Sequence, residues 1–320
     1  MPWYFVVAIF LASCFVLSFL SSRLVKSLIN IGRYLGWREF VIAFFVMSFA
    51  TSLPNLFVDI NAAIHGIPEL ALGDILGGNL VDLTIVLAIA VFFSKKELSA
   101  DSSMVQKTAI FTTIIAVLPI ALIWDSNLDR MDGIILIFTF LFYAWWLFSQ
   151  KGHFTKKYAG VKNHSLNFRT FIGSVISVAV LVLLLLAASQ AVIWSAQFFS
   201  AKLGISLSLV ALLIVALGNA FPETYFVVVS ARKNENWLVL GDLMGSVIVC
   251  TTLVLGIVAL FFPFQIEDIS LFVSARTFLI IAAAFSLLFI MTNKKVSKRE
   301  GLFLLFVYIA FLIAEVFLNN

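Results

Sequence analysis

The stretch Leu70–Ile89, LALGDILGGNLVDLTIVLAI, returns 168 residues later as Leu238–Ile257, LVLGDLMGSVIVCTTLVLGI, with ten of twenty positions identical. The shared residues include Gly73/Gly241, Asp74/Asp242, Gly77/Gly245 and Thr84/Thr252. The same offset aligns Ala50-Thr51-Ser52-Leu53-Pro54-Asn55 with Gly218-Asn219-Ala220-Phe221-Pro222-Glu223. A repeat of this length fixes the architecture before any single motif does. It places acidic residues and a proline, twice over, inside segments apolar enough to cross a bilayer. Such a duplicated pair of Gly/Pro-interrupted membrane segments is where a secondary transporter builds its binding site.

Composition excludes a soluble domain. The chain is 62 % hydrophobic and 12 % charged, against about 25 % charged in soluble domains. A hydrocarbon core of about 30 Å needs roughly 20 apolar residues. Runs that meet this test lie near 3–20, 40–64, 70–93, 107–124, 131–149, 171–199, 206–231, 237–262, 271–291 and 301–318. The expectation is an all-α polytopic membrane protein of ten transmembrane helices. The offset maps the second helix onto the seventh and the third onto the eighth. Five helices per half is an odd number, so the halves enter the membrane from opposite sides as two inverted five-helix repeats. The expected divisions are 1–149, a linker over 150–167, and 168–320. The first run reads as a permanent span, too long for a cleaved signal.

Lys and Arg set the orientation. Eighteen of them follow odd-numbered helices, whereas Arg130, Lys202 and Arg276 follow even-numbered ones. This bias puts the basic linker in the cytoplasm and both termini outside, with the plasma (cytoplasmic) membrane as the expected location. On that side the Asn163-His164-Ser165 sequon stays unused. The net charge of +4 sits in short loops and implies no nucleic-acid partner; the partners expected are the lipid bilayer and small cations, with no oligomer required. Cys14 and Cys250 lie inside apolar runs, so no disulfide framework is expected.

Ionisable groups inside a membrane cost about 2.5–3.5 kcal/mol each on insertion scales and are functional candidates for that reason. Five qualify: Asp59, Asp74, Asp82, Glu223 and Asp242. The two proline hexapeptides fall at the centres of their helices, and Asp82 and Cys250 at the centres of theirs. Asp74 and Asp242 lie eight residues away, roughly 12 Å along the axis, toward opposite faces. Asp74, Gly78 and Asp82 share one helix face at i, i+4, i+8, as do Asp242, Ser246 and Cys250. Pro54 and Pro222 interrupt backbone hydrogen bonding one turn earlier. Carbonyl oxygens beside carboxylates suit a hard cation such as Ca²⁺. No cofactor is expected; Ca²⁺ and Na⁺ or H⁺ are substrates.

At these residues the chain resembles the Ca²⁺:cation antiporter superfamily, which includes the Na⁺/Ca²⁺ exchangers. Those proteins carry Gly-Thr/Asn-Ser-x-Pro-Glu-like segments on the second and seventh helices and Gly-Asn/Asp-x-x-Gly-Ser-like segments on the third and eighth. The resemblance covers about 40–93 and 208–263. It implies a midplane site of four polar side chains and alternating access by sliding of the first and sixth helices. It places the two site glutamates at Asn55 and Glu223, and the Asn/Asp positions at Asp82 and Cys250. The Ser/Thr positions fall on Thr51, Ser52 and Gly78, and on Asn219, Ala220 and Ser246. Two positions depart from the pattern: one glutamate is the amide Asn55, and an acid is Cys250.

The expected function is therefore secondary cation antiport, exchanging Ca²⁺ for Na⁺ or H⁺ at a midplane site. Glu223 and Asp82 are the metal ligands, with Asn55, Thr51, Ser52, Asn219 and Ser246 around them. Asp74, Asp242 and Asp59 line a vestibule or gate; Asp59, one turn from Asn55, either restores the missing charge or marks a water-facing helix end. A passive channel or a non-transporting homologue is the alternative. An intramembrane aspartyl protease would pair Asp74 with Asp242, but neither acid has the sequence context of such enzymes. The histidines read as loop residues, and Cys250 as a small buried filler.

Overall fold

A computed structural model describes residues 2–35, 51–149, 168–266 and 272–318. Helices run in chain order as α1 Trp3–Tyr34, α2 Leu53–Ile64, α3 Pro68–Phe93, α4 Ser103–Leu122 and α5 Arg130–Ser149. They continue as α6 Phe168–Leu203, α7 Leu207–Arg232, α8 from Asn236–Ile248 through Val249–Val254 to Leu255–Phe261, α9 Val273–Asn293 and α10 Lys298–Leu318. Among the described residues, eight helices (α1 and α3 to α9) are long and apolar enough to cross a membrane. The expected start of the second span, at 40–50, and the linker at 150–167 lie outside the described residues.

Two spans are longer than the apolar runs that announce them. α1 was expected over 3–20 but extends for 32 residues, roughly 48 Å, running on through the polar and basic stretch after Leu20 and through Gly32. α6, expected over 171–199, runs for 36 residues and stops at Gly204, whose φ of 70° suits the left-handed position that ends a helix. α1 and α6 pack along one another at the edge of the molecule. Burial separates them from the centre: in an 18-residue apolar stretch of each helix, 83 % of α8 and 78 % of α3 is buried, against 17 % of α6. Phe15 and Leu183, exposed on α1 and α6, belong to the apolar face that a bilayer would cover.

The repeat reappears in local structure. α3 passes through a π-helical turn at Asp82–Val86, and α8 through one at Val249–Val254. Thr84 and Thr252, identical in the repeat, each donate to the carbonyl one turn back, Leu80 and Ile248, a bond that distorts helices. Before each proline the chain pauses in the same conformation: φ −82°, ψ −9° at Ser52 and φ −76°, ψ −2° at Ala220. Pro54 and Pro222 then occupy the first turn of the helix that follows, where a missing N–H costs nothing. α7 contains a further π-helical turn at Ala211–Val215.

Two short ladders, too brief for any sequence period, link the halves. Leu98–Ser99 pairs antiparallel with Lys295–Val296, and Asn127–Leu128 with Phe264–Gln265. At the centre, α3 lies directly on the first half of α7. A Cβ on Gly73 would sit 2.5 Å from the Ser208 carbonyl oxygen, and one on Gly77 would overlap that of Leu212. These glycines exist so that two backbones can touch.

Candidate cation-binding site

All five intramembrane acids singled out from sequence are buried: Asp59, Asp74, Asp82, Glu223 and Asp242. So are Thr51, Ser52, Asn55, Asn219 and Ser246. Among the described residues no Lys, Arg or His is buried with them. An ionised carboxylate away from water costs several kcal/mol unless something positive or a donor meets it. A buried group of acids without a base is a place for cations.

The side chains meet in pairs that exchange halves of the chain. Thr51 Oγ1 donates to Asp242 Oδ1 at 3.0 Å, and Asn219 Nδ2 donates to Asp74 Oδ2 at 2.6 Å. Since 51 aligns with 219 and 74 with 242, each half's pre-proline turn holds the other half's acid. Asp74 and Asp242 are thus committed to different partners and do not form a dyad.

Deeper in, Ser246 Oγ donates to Glu223 Oε1 at 3.2 Å and is also in hydrogen-bonding contact with Asp82. Glu223, Ser246 and Asp82 therefore make one cluster, built from α7, α8 and α3. The equivalent positions make another: Asn55 Nδ2 approaches Cys250 Sγ at 3.6 Å, and Gly78 stands where Ser246 stands in the first cluster, its added Cβ falling 3.9 Å from Asn55 Nδ2. Cys250 is free and buried, as the filler reading requires. Asp59 does not join either cluster; it lies in hydrogen-bonding contact with Asp74. Ser52 is buried at the turn before α2 and makes no side-chain cap bond.

Several oxygens are left without a donor among the described residues: Asn55 Oδ1, both of Asp59, Asp74 Oδ1, Asn219 Oδ1, Glu223 Oε2 and Asp242 Oδ2. No three His, Cys, Asp or Glu side chains converge as a metal cage among those residues. A cation held here takes carboxylates in pairs and completes its shell with amide, hydroxyl, carbonyl or water oxygens, the ligand types a hard ion uses. Sequence reasoning missed Asn79, whose Nδ2 donates to Thr251 Oγ1 at 2.7 Å and ties α3 to α8 beside the clusters. It also missed Asn61, which donates to Ser189 Oγ at 2.8 Å and to the Leu186 carbonyl, fixing α2 on α6. Both are amides in apolar helices, a signal that counting charges alone passes over.

The sequence profile described as sodium/calcium exchanger protein matches residues 5–149 and 173–317. The chain belongs to the sodium/calcium exchanger family. Its relatives in that family are transporters rather than enzymes, and it is an integral membrane protein. Inner membrane protein YrbG of Escherichia coli is 24 % identical over 288 residues, covering 88 % of this chain and 87 % of the relative. Sodium/calcium exchanger MaX1 of Methanosarcina acetivorans is 24 % identical over 329 residues, covering 92 % and 93 %. Among solved structures, the sodium-calcium exchanger NCX_Mj soaked with Na⁺ and Sr²⁺ superposes with a TM-score of 0.64 at 22 % identity, covering 98 % of this chain and 99 % of that one. That likeness is one of fold.

Proposed function

We propose that this family member is a secondary antiporter that exchanges Ca²⁺ for Na⁺ or H⁺ by alternating access. The observation that supports it best is the Glu223–Ser246–Asp82 cluster, two carboxyls from different halves sharing one hydroxyl with no buried base among the described residues. Two carboxylates neutralise one divalent ion. Thr51, Ser52, Asn55 and Asn219 surround the ion path, and Asp74, Asp242 and Asp59 line its approaches. The reading takes ten spans as two inverted repeats, 1–149 and 168–320, joined by a cytoplasmic linker at 150–167. It puts the protein in the plasma membrane with both termini outside, an orientation that the bias of Lys and Arg supports. In this reading the long α1–α6 pair slides over the buried α3–α8 core and opens the clusters to each side in turn.

Radioactive Ca²⁺ uptake into proteoliposomes tests the function and names the counter-ion. An imposed Na⁺ gradient or an imposed H⁺ gradient should drive uptake above that of protein-free vesicles. Uptake that equilibrates Ca²⁺ equally well with neither gradient would make the protein a passive channel.

A further inference from the structure

The hydrogen bonds between α2 and α6 are not repeated between the equivalent helices. Asn61, buried on α2, turns its Nδ2 toward three acceptors on α6: Ser189 Oγ at 2.8 Å, the Leu186 carbonyl at 3.2 Å and Gln190 Oε1 at 3.3 Å. The 168-residue offset extends to α1 and α6, where Leu17 matches Leu185, Ser21 matches Ser189 and Ser27 matches Ser195. All six are buried, and Ser27 and Ser195 each donate to the carbonyl four residues back. The equivalent of α2 against α6 is therefore α7 against α1.

On that side every part of the contact is missing. Asn61 is matched by Val229, whose side chain donates nothing. Ser22, the match of Gln190, donates within its own helix to the carbonyl of Ser18, the match of Leu186. Ser21 Oγ is fully buried and has no partner among the described residues. Packing divides in the same way: α2 lies against α6 more extensively than Phe221–Arg232, the matching part of α7, lies against α1. Two equivalent halves in one conformation would pack alike. The difference marks the arrangement seen as one of a mirrored pair, related by exchanging the roles of α1 and α6.

We infer that Asn61 is a one-sided latch, which holds α6 on α2 and favours this arrangement over its mirror. Sliding α6 along α2 strips a buried amide of its acceptors, which costs more than the bonds themselves contribute. The mirror arrangement has Val229 at the same place and gains nothing in return. Each interhelical hydrogen bond in a membrane is worth little, so the two N–H groups of one amide shift a two-state population by roughly tenfold. The latch rests on the alternating-access reading above and gives it a built-in resting side.

The test is a distance measurement between nitroxide labels on the full chain in lipid nanodiscs. Leu203→Cys and Lys96→Cys are exposed positions at opposite ends of α6 and α3, so translation of α6 changes their separation; the native Cys14 and Cys250 are buried. The otherwise unchanged chain should show one dominant distance. Asn61→Val, which copies the second half, should raise the share of a second distance relative to the first by about tenfold. Val229→Asn, which offers Ser21 a donor, should raise the same second distance, a gain that a merely structural role for Asn61 does not produce. If Asn61→Val does not fold, Val229→Asn decides alone. Unchanged distances in either folded variant would overturn the latch. The labels are read without an ion gradient, so failure of the antiport reading is seen separately, as Ca²⁺ uptake by the wild type that follows neither gradient.

Discussion

The two clusters at the centre occupy equivalent positions and have opposite chemistry. One joins Glu223 to Asp82 through Ser246; the other faces Asn55 toward Cys250 with Gly78 in place of the serine. The scaffold is the same on both sides: a pause before proline, a π-helical turn, and a threonine bonded one turn back. The duplication therefore supplies positions, and the side chains alone decide what they bind. Each half contributes one acid, yet both acids fall in the same cluster, because the cluster is made across the halves. This leaves an acidic side and a neutral side, with a formal charge of −2 where two glutamates and an aspartate would give −3.

Removing the acidic side should have the largest effect. Asp82→Asn keeps the shape and loses the charge, and Ca²⁺ uptake by proteoliposomes should fall to the level of protein-free vesicles. Making the neutral side acidic comes next. One charge at about 4 Å is worth on the order of 4 kcal/mol at an effective dielectric near 20, so Asn55→Glu with Cys250→Asp should tighten Ca²⁺ binding by well over about tenfold. The same double variant should unfold at lower temperature without Ca²⁺ and regain its melting temperature when Ca²⁺ is added.

The cross-half hydrogen bonds allow a finer comparison. Thr51→Val and Asn219→Leu each strip a donor from a buried acid, at a cost of about 1–3 kcal/mol, and should lower the melting temperature by similar amounts. A large difference between them would show that the two approaches are not equivalent. The smallest effect belongs to Gly78→Ser, which copies Ser246 into the neutral side. Its Cβ has room, so stability should stay close to wild type while Ca²⁺ binding tightens by a few fold at most. Gly77→Ala, one residue away, should instead destabilise by about 1–3 kcal/mol, because the added carbon overlaps the Leu212 carbonyl.

Much of this was legible in the sequence. The fixed offset, the intramembrane acids and the paired prolines identified the family, and the acids they singled out are all buried. Which side chains touch was not legible. A repeat aligns Asn55 with Glu223 but does not say that Glu223 faces Asp82 rather than Cys250; that follows from how α3 and α8 cross. The π-helical turns were missed because they leave no trace in apolar periodicity, although Thr84 and Thr252 are their shared residues. The end of α6 was misplaced because the helix runs on to Gly204, whereas the apolar run ends just before Lys202. For Asp59 the sequence offered either a substitute for the missing carboxylate at position 55 or a water-facing helix end; the residue is fully buried and lies in contact with Asp74.

The central claim is that Glu223 and Asp82 together hold the transported divalent cation. Calorimetric titration of CaCl₂ into the purified protein, wild type against Glu223→Gln, tests it most directly. The account predicts a saturable Ca²⁺ isotherm for the wild type and none for the variant, with both proteins folded by circular dichroism. A Glu223→Gln protein that binds Ca²⁺ as the wild type does would contradict it.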